Sequence, residues 1–201
     1  MPGAILNIPS GGGSSIIEEW DFKQSLTGVN GNVATLTGTN ISQTANGVHI
    51  SGVSSCITIP ISLLYGRKYT LKIGAFDFKG GLNNNTGIIM FLNSSVGFLR
   101  RTTGYMSVYT NSGWVQSSVL ISTAQDFNNY LSNSEIVIDF HSNKIDVYVN
   151  GNKIISDATL FTSASTLGNF LTIGDSRSGS SGGQFYDVYI ESLKIEPSPY
   201  L

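Results

Sequence analysis

Three short runs decide the fold class: Glu135-Ile-Val-Ile-Asp-Phe140, Lys144-Ile-Asp-Val-Tyr-Val149 and Lys153-Ile-Ile155, the last two joined through Asn150-Gly151. Apolar and polar residues alternate along them. Side chains two residues apart therefore share a face, which is the period of a strand and not of a helix. Asn-Gly between two such runs supplies two residues that accept positive φ and is the strongest short-range hairpin signal. Ser142-Asn143 marks a second tight turn, so three consecutive antiparallel strands are predicted across residues 135–155.

The same alternation recurs on both sides of this unit. It is present in Val33-Ala-Thr-Leu-Thr37, Gly47-Val-His-Ile-Ser51, Cys56-Ile-Thr-Ile59 and Tyr69-Thr-Leu-Lys-Ile73. It continues in Tyr105-Met-Ser-Val-Tyr109, Phe170-Leu-Thr-Ile173 and Tyr189-Ile-Glu-Ser-Leu-Lys-Ile195. Gly87-Ile-Ile-Met-Phe-Leu92 is continuously apolar, as a central strand covered on both faces would be. Thr123-Ala-Gln-Asp-Phe-Asn-Asn-Tyr-Leu131 has room for one or two helical turns. The fold class is all-β.

The chain has 201 residues, 40% of them hydrophobic, enough for one core and one domain. Residues 1–15 read differently from residues 16–201. Ile5, Leu6 and Ile8 form a short apolar peg, followed by the linker Pro9-Ser-Gly-Gly-Gly-Ser-Ser15, and together they predict an attachment arm. Charged residues make up only 12%, about half of the usual ~25%. The surface must then be built of Ser, Thr, Asn and Gly, which suits carbohydrate or another protein copy. A net charge of −2 without a dense Lys/Arg cluster excludes nucleic acid as a partner. The pairs Arg67-Lys68 and Arg100-Arg101 read as solvated strand or turn ends.

The single cysteine, Cys56, excludes an internal disulfide and reads as a buried thiol. With two histidines and one cysteine, no His/Cys zinc site can be assembled. No run of 18 apolar residues is present, so no membrane insertion is expected. The Met1-Pro-Gly start has neither a charged n-region nor an apolar h-region, which predicts synthesis in a cytoplasm.

The order of these pieces resembles the concanavalin A-like lectin/glucanase superfamily, and within it the laminin G-like branch. The resemblance rests on Glu19-Trp-Asp-Phe22 with Leu26, on Arg67-Lys-Tyr-Thr-Leu-Lys-Ile73, and on the hairpin from Lys144 to Lys153. Its most specific part is Phe170-Leu-Thr-Ile-Gly-Asp175, a Ser/Gly loop, Phe185, and Tyr189-Ile-Glu-Ser-Leu-Lys-Ile195. It implies a two-sheet antiparallel jelly-roll sandwich whose first strand, residues 16–22, lies beside residues 188–195. It also implies that one face and its rim loops bind sugars, in some members with calcium.

Catalysis is not expected. Glycoside hydrolysis needs two carboxyl groups facing one another across the scissile bond. The superfamily's glucanases carry Glu-x-Asp-x-x-Glu or Glu-x-Asp-x-Glu on one strand, and neither occurs here. Glu135/Asp139 and Asp187/Glu191 lack the intervening acid and read as solvated acids or hydrogen-bond acceptors. A Ser-His-Asp site on His49 or His141 would lack a Gly-x-Ser-x-Gly elbow. No cofactor is expected. Calcium at Asp175 is a weak candidate, because Arg177 shares its loop and one acid falls short of the usual carboxylate set.

Sugar recognition combines an aromatic platform with polar partners. Trp114, Tyr105 and Tyr109 are the candidate platform, with Arg101, Asn111, Asn83 and Asn85 as polar partners. Trp114 and the tyrosines have an alternative reading as core or subunit-interface residues. Trp20, in the first strand, reads as structural. Low charge and the N-terminal arm together predict a non-catalytic structural or adhesion protein of a phage particle, such as a head or tail fibre or decoration protein. It would be a homo-oligomer located in the virion, docked through its arm on other virion proteins or on copies of itself, with a host-surface glycan as a further partner. The alternatives are a free carbohydrate-binding module of a bacterial surface or secreted protein, placed extracellularly, and thirdly a glycoside hydrolase.

Overall fold

The computed structural model describes residues 16–52, 55–60, 66–79, 82, 86–91, 96–110, 113–141, 143–159, 170–174 and 186–200. Its strands run in chain order β1 (Glu18–Asp21), β2 (Thr35–Thr37), β3 (Ile41–Thr44), β4 (Gly47–Ile50), β5 (Cys56–Pro60) and β6 (Arg67–Phe78). Then come β7 (Thr86–Phe91), β8 (Val96–Arg100), β9 (Tyr105–Thr110), β10 (Gly113–Leu120) and one helix, α1 (Ala124–Leu131). The chain closes with β11 (Glu135–His141), β12 (Lys144–Val149), β13 (Asn152–Thr159), β14 (Phe170–Gly174) and β15 (Tyr186–Pro197).

These strands form two antiparallel sheets packed as a jelly-roll sandwich. The first has the order β13-β12-β11-β6-β15-β4-β3, with β1 also on β15; the second has the order β10-β9-β8-β7-β14-β5-β2. Alternation explains the layering. Tyr69, Leu71, Ile136, Ile138, Leu193 and Ile195 from the first sheet meet Ile57, Ile59, Phe98, Val108, Leu171 and Ile173 from the second in one core. The continuously apolar run near residue 88 is β7, an internal strand between β8 and β14.

The first and last strands lie side by side as the resemblance implies, with Glu18 opposite Ile195 and Asp21 opposite Ser192. Trp20 on β1 is fully buried and its indole N–H donates to the Asn32 carbonyl at 3.0 Å. The hairpin signals also hold. Asn150 (φ 50°) and Gly151 (φ 76°) turn β12 into β13, and His141 pairs with Lys144 across the turn between β11 and β12. Helix α1 is capped by Thr123 and Asp126 and packs Phe127 edge-on against Phe76 and Phe78. Cys56 is buried and is not in a disulfide.

One expectation is corrected. Arg100 is no solvated turn end: alternation along β8 points it inward, opposite Met106, and it is 3% exposed. Its guanidinium reaches three backbone carbonyls, those of Ile121, Leu82 and Arg101, at 2.9–3.2 Å.

Because β15 has ladder partners on both edges, deleting residues 188–201 should expose β6, β4 and β1 at once. The truncated protein is expected to show no cooperative thermal transition by circular dichroism. A sharp melt like that of the full chain would disprove this topology.

Candidate functional site

The outer face of the second sheet begins with plain strand registry. Trp114 pairs with Tyr109, Tyr109 with Gly97, Gly97 with Met90, Met90 with Thr172, Thr172 with Thr58 and Thr58 with Thr35. One row thus crosses all seven strands. At 4.7–4.9 Å per strand it is about 29 Å long. Val108, Ile173, Ile57 and Ile59, the neighbours along the chain, point into the core, so the row points outward. It carries two aromatic rings at one end, a glycine without a side chain beside them, and three threonines at the far end.

Trp114 is 37% exposed, so the core reading fails for it. Its ring lies 4.9 Å from Tyr109 at 53°, and the Arg101 guanidinium sits 4.5 Å over the indole centroid. Arg101 starts two residues further along β8's line than Leu99, opposite Tyr105. To meet, the Trp114 and Arg101 side chains must lean over the row between them, Leu99 and Ser107. Those outward-facing residues are accordingly only 2% and 0% exposed.

The position of Arg101 is fixed from below. Its carbonyl accepts from the Gly104 amide at 2.9 Å, closing a turn that Gly104 permits at φ 89°, and from Arg100 Nη1 at 3.1 Å. Ile121 then ties the turn to the end of β10 through its amide on Gly104 O.

The structure therefore gathers Trp114, Tyr109 and Arg101 into one corner. Tyr105 is on the same outer face, across from exposed Leu120, without a ring contact to Trp114. Asn83, Asn85, Asn111, Asp175 and the arm residues Ile5, Leu6 and Ile8 lie outside the described residues. Sequence reasoning missed the threonine row, although each threonine occupies the polar position of its alternating run.

The first sheet's outer face is of a different kind. Of the thirteen acidic residues, all but Asp126 and Asp175 are on its strands, whereas the seven strands of the second sheet carry one charged residue, the inward Arg100. A depression of about 380 Å³ on the first sheet is lined by Glu19, Lys68, Lys72, Glu135, Lys194 and Glu196 among others. Its three acids and three lysines balance in number, and Lys68 and Lys194 each pair with Glu196 at 3.0 and 2.8 Å. A face that neutralises itself has little need of an ionic ligand.

The first sheet's acids are largely structural acceptors, several of them buried. Glu18 accepts from the Asn30 amide and the Asn32 side chain. Glu191 pairs with Lys23, and Asp187 with His49, whose ring stacks on Tyr189 at 4.4 Å. Asp139 and Asp146 face one another across β11 and β12 and are each 2% exposed, so neither is solvated. Burial pushes the Asp139 carboxyl up, against the opposing hydrogen bond from Ser198. Burial acts on Asp146 too, but Lys153 at 2.6 Å and the Asp157 amide at 2.7 Å outweigh it and hold that carboxyl low.

His141, Asp146 and Asp157 place one ligand atom each within 4.8 Å of one another, a His/Asp/Asp group that counting His and Cys alone overlooked. Lys153 on Asp146 and Lys144 on Asp157 at 3.0 Å already supply positive charge there, so a metal ion would have to displace two ammonium groups. No serine hydroxyl is bonded to either histidine among the described residues.

No family model matches the chain, and no curated protein matches its sequence. Among solved structures, its fold is similar to Trypanosoma rangeli sialidase in complex with 2,3-difluorosialic acid, at TM-score 0.68 and 13% identity over 91% of this chain and 31% of that one. The chain thus spans about a third of the sialidase's length. It is similar to domain 4 of AbnA, a GH43 extracellular arabinanase from Geobacillus stearothermophilus solved with arabinotriose, at TM-score 0.57 and 13% identity. That match covers 92% of this chain and 93% of the domain. The binding domain of botulinum neurotoxin serotype D matches at TM-score 0.59 and 12% identity, over 91% of this chain and 48% of that one. At such identities the likeness is one of fold.

The two buried acids should respond oppositely to neutralisation. Asp146→Asn removes a carboxylate that is more acidic in the folded state, so it should cost about 1.5–3 kcal/mol at neutral pH. That deficit shrinks as pH falls through the carboxylate range, where the wild type loses the same contribution. Asp139 has the reverse sign: its folded form favours the proton, its contribution fades as pH rises, and Asp139→Asn should be neutral or stabilising at pH 7. Urea denaturation of both variants at pH 7 and pH 3 checks the two signs.

Proposed function

We propose that the protein is a non-catalytic carbohydrate-binding module whose ligand lies along the outer face of the second sheet, with Trp114 as the stacking platform. The supporting observation is the continuous row from Trp114 to Thr35. Exposed indole, tilted tyrosine and threonine hydroxyls on a face without carboxylates suit a polyhydroxylated chain with apolar ring faces. The fold likeness adds support, since the arabinanase domain of nearly the same length was solved with arabinotriose. Absence of catalysis is part of the proposal: carboxylates cluster on the opposite sheet, bound to lysines, histidines and amides rather than spaced across an open groove.

The biological setting we propose is adhesion by a multimeric assembly, such as a phage particle, with residues 1–15 as the docking arm. Composition supports this: an apolar peg and a Gly/Ser linker precede a domain of low charge.

Trp114→Ala should weaken glycan binding roughly tenfold, about 1.4 kcal/mol, while the melting temperature changes little because the ring is partly solvated. A glycan array followed by calorimetry on the best ligand gives the first number and a thermal melt the second. Unchanged affinity would remove Trp114 from the site, and a large loss of stability would make it structural.

A further inference from the structure

We infer that the Trp114 corner recognises an anionic saccharide, one whose ring stacks on the indole while a carboxylate or sulfate group meets Arg101. This rests on the carbohydrate-binding reading above and narrows its substrate class. Among the described residues Arg101 is a cation without a counter-ion. Its guanidinium lies on the face of Trp114 at 4.5 Å, and its Nε is closed to solvent with no hydrogen-bond acceptor among those residues. Most described lysines are instead paired with an acid, as Lys23, Lys68, Lys79, Lys144, Lys153 and Lys194 are.

The surroundings make that missing partner significant. None of the second sheet's strands contributes an Asp or Glu, so no acid on them can swing over to neutralise Arg101. Its backbone is held by the Gly104 turn and by Arg100, so the guanidinium is aimed and not merely tethered. A planar guanidinium offers paired N–H donors that match a carboxylate or sulfate, and stacking on an aromatic ring leaves those in-plane donors available. Arg101 is thus a specificity-determining residue beside the platform: the indole takes the ring and the guanidinium takes the charge.

The test uses the full-length protein and three matched sets of oligosaccharides: neutral, uronic acid-containing and sulfated. Wild type should bind at least one anionic set ten times or more tighter than the neutral set, with affinity falling as salt rises. Arg101→Gln, which loses no side-chain hydrogen bond among the described residues and should melt like wild type, should lower affinity for the anionic set tenfold or more and so abolish that preference. Trp114→Ala should weaken both. The carboxylated and sulfated arms tell which anion is read. Equal wild-type binding of neutral and anionic sugars, or a preference that survives Arg101→Gln, overturns this inference while leaving the carbohydrate-binding reading standing. Binding of no saccharide at all overturns both.

Discussion

The ladder between β6 and β15 is the constraint on which the sandwich rests. Both strands are twelve residues long and pair over their whole length, with Leu71 opposite Leu193 and Tyr69 opposite Ile195 on the core side. The same ladder sets Lys68 opposite Glu196 and Lys72 opposite Ser192 on the outside. A slip of one residue would exchange these sets, burying lysines and exposing the core, so register here is strongly specified. Since β11 follows β6 on one side, and β4 and β1 follow β15 on the other, this one pairing dictates which face of every first-sheet strand is inner.

The second sheet inherits its inner face by packing on that core, and its outer face is then free of structural duty. The division of charge follows this freedom. The first sheet's outer surface is filled with ion pairs and with acids buried among amides and lysines. Among the described residues, the second sheet's outer surface is left to hydroxyls, aromatic rings and one cation with no acid paired to it. A surface without ionic cross-links keeps its donors and acceptors available for a ligand, and strands beneath it hold them at fixed spacing. The function proposed for the molecule lives on the sheet whose exterior does least for stability.

Much of the fold is legible because alternation and turn chemistry are local. The hairpins at Asn150-Gly151 and residues 142–143 and the short helix after Thr123 could be read from the chain itself, whereas the pairing of the first and last strands followed only from the family resemblance. Strands β8 and β10 could not. The run Gly113-Trp-Val-Gln-Ser-Ser-Val-Leu120 shifts register between Gln116 and Leu120, which breaks the two-residue period that would mark it. A similar irregularity lets Ile73 and Phe76, three residues apart, both reach the core. The seven-residue row from Trp114 to Thr35 is non-local by nature. It exists only once seven strands scattered from residue 35 to residue 174 are in register, and no single window contains it.

Arg100 and Arg101 show how the same local rule produces opposite chemistry. They are adjacent and alike in charge, and from sequence they read as one solvated pair. Alternation on β8 sends Arg100 inward and Arg101 outward. Inside, an ionised side chain survives only where its donors are satisfied, and three carbonyls around Leu82, Arg101 and Ile121 do this without any acid. Those bonds fasten the turn that presents Arg101. Outside, the neighbouring guanidinium is left on an aromatic ring with its charge unanswered. The buried arginine is therefore the scaffold of the exposed one, and the corner's readiness for an anion is a consequence of how the interior solved its own polar problem.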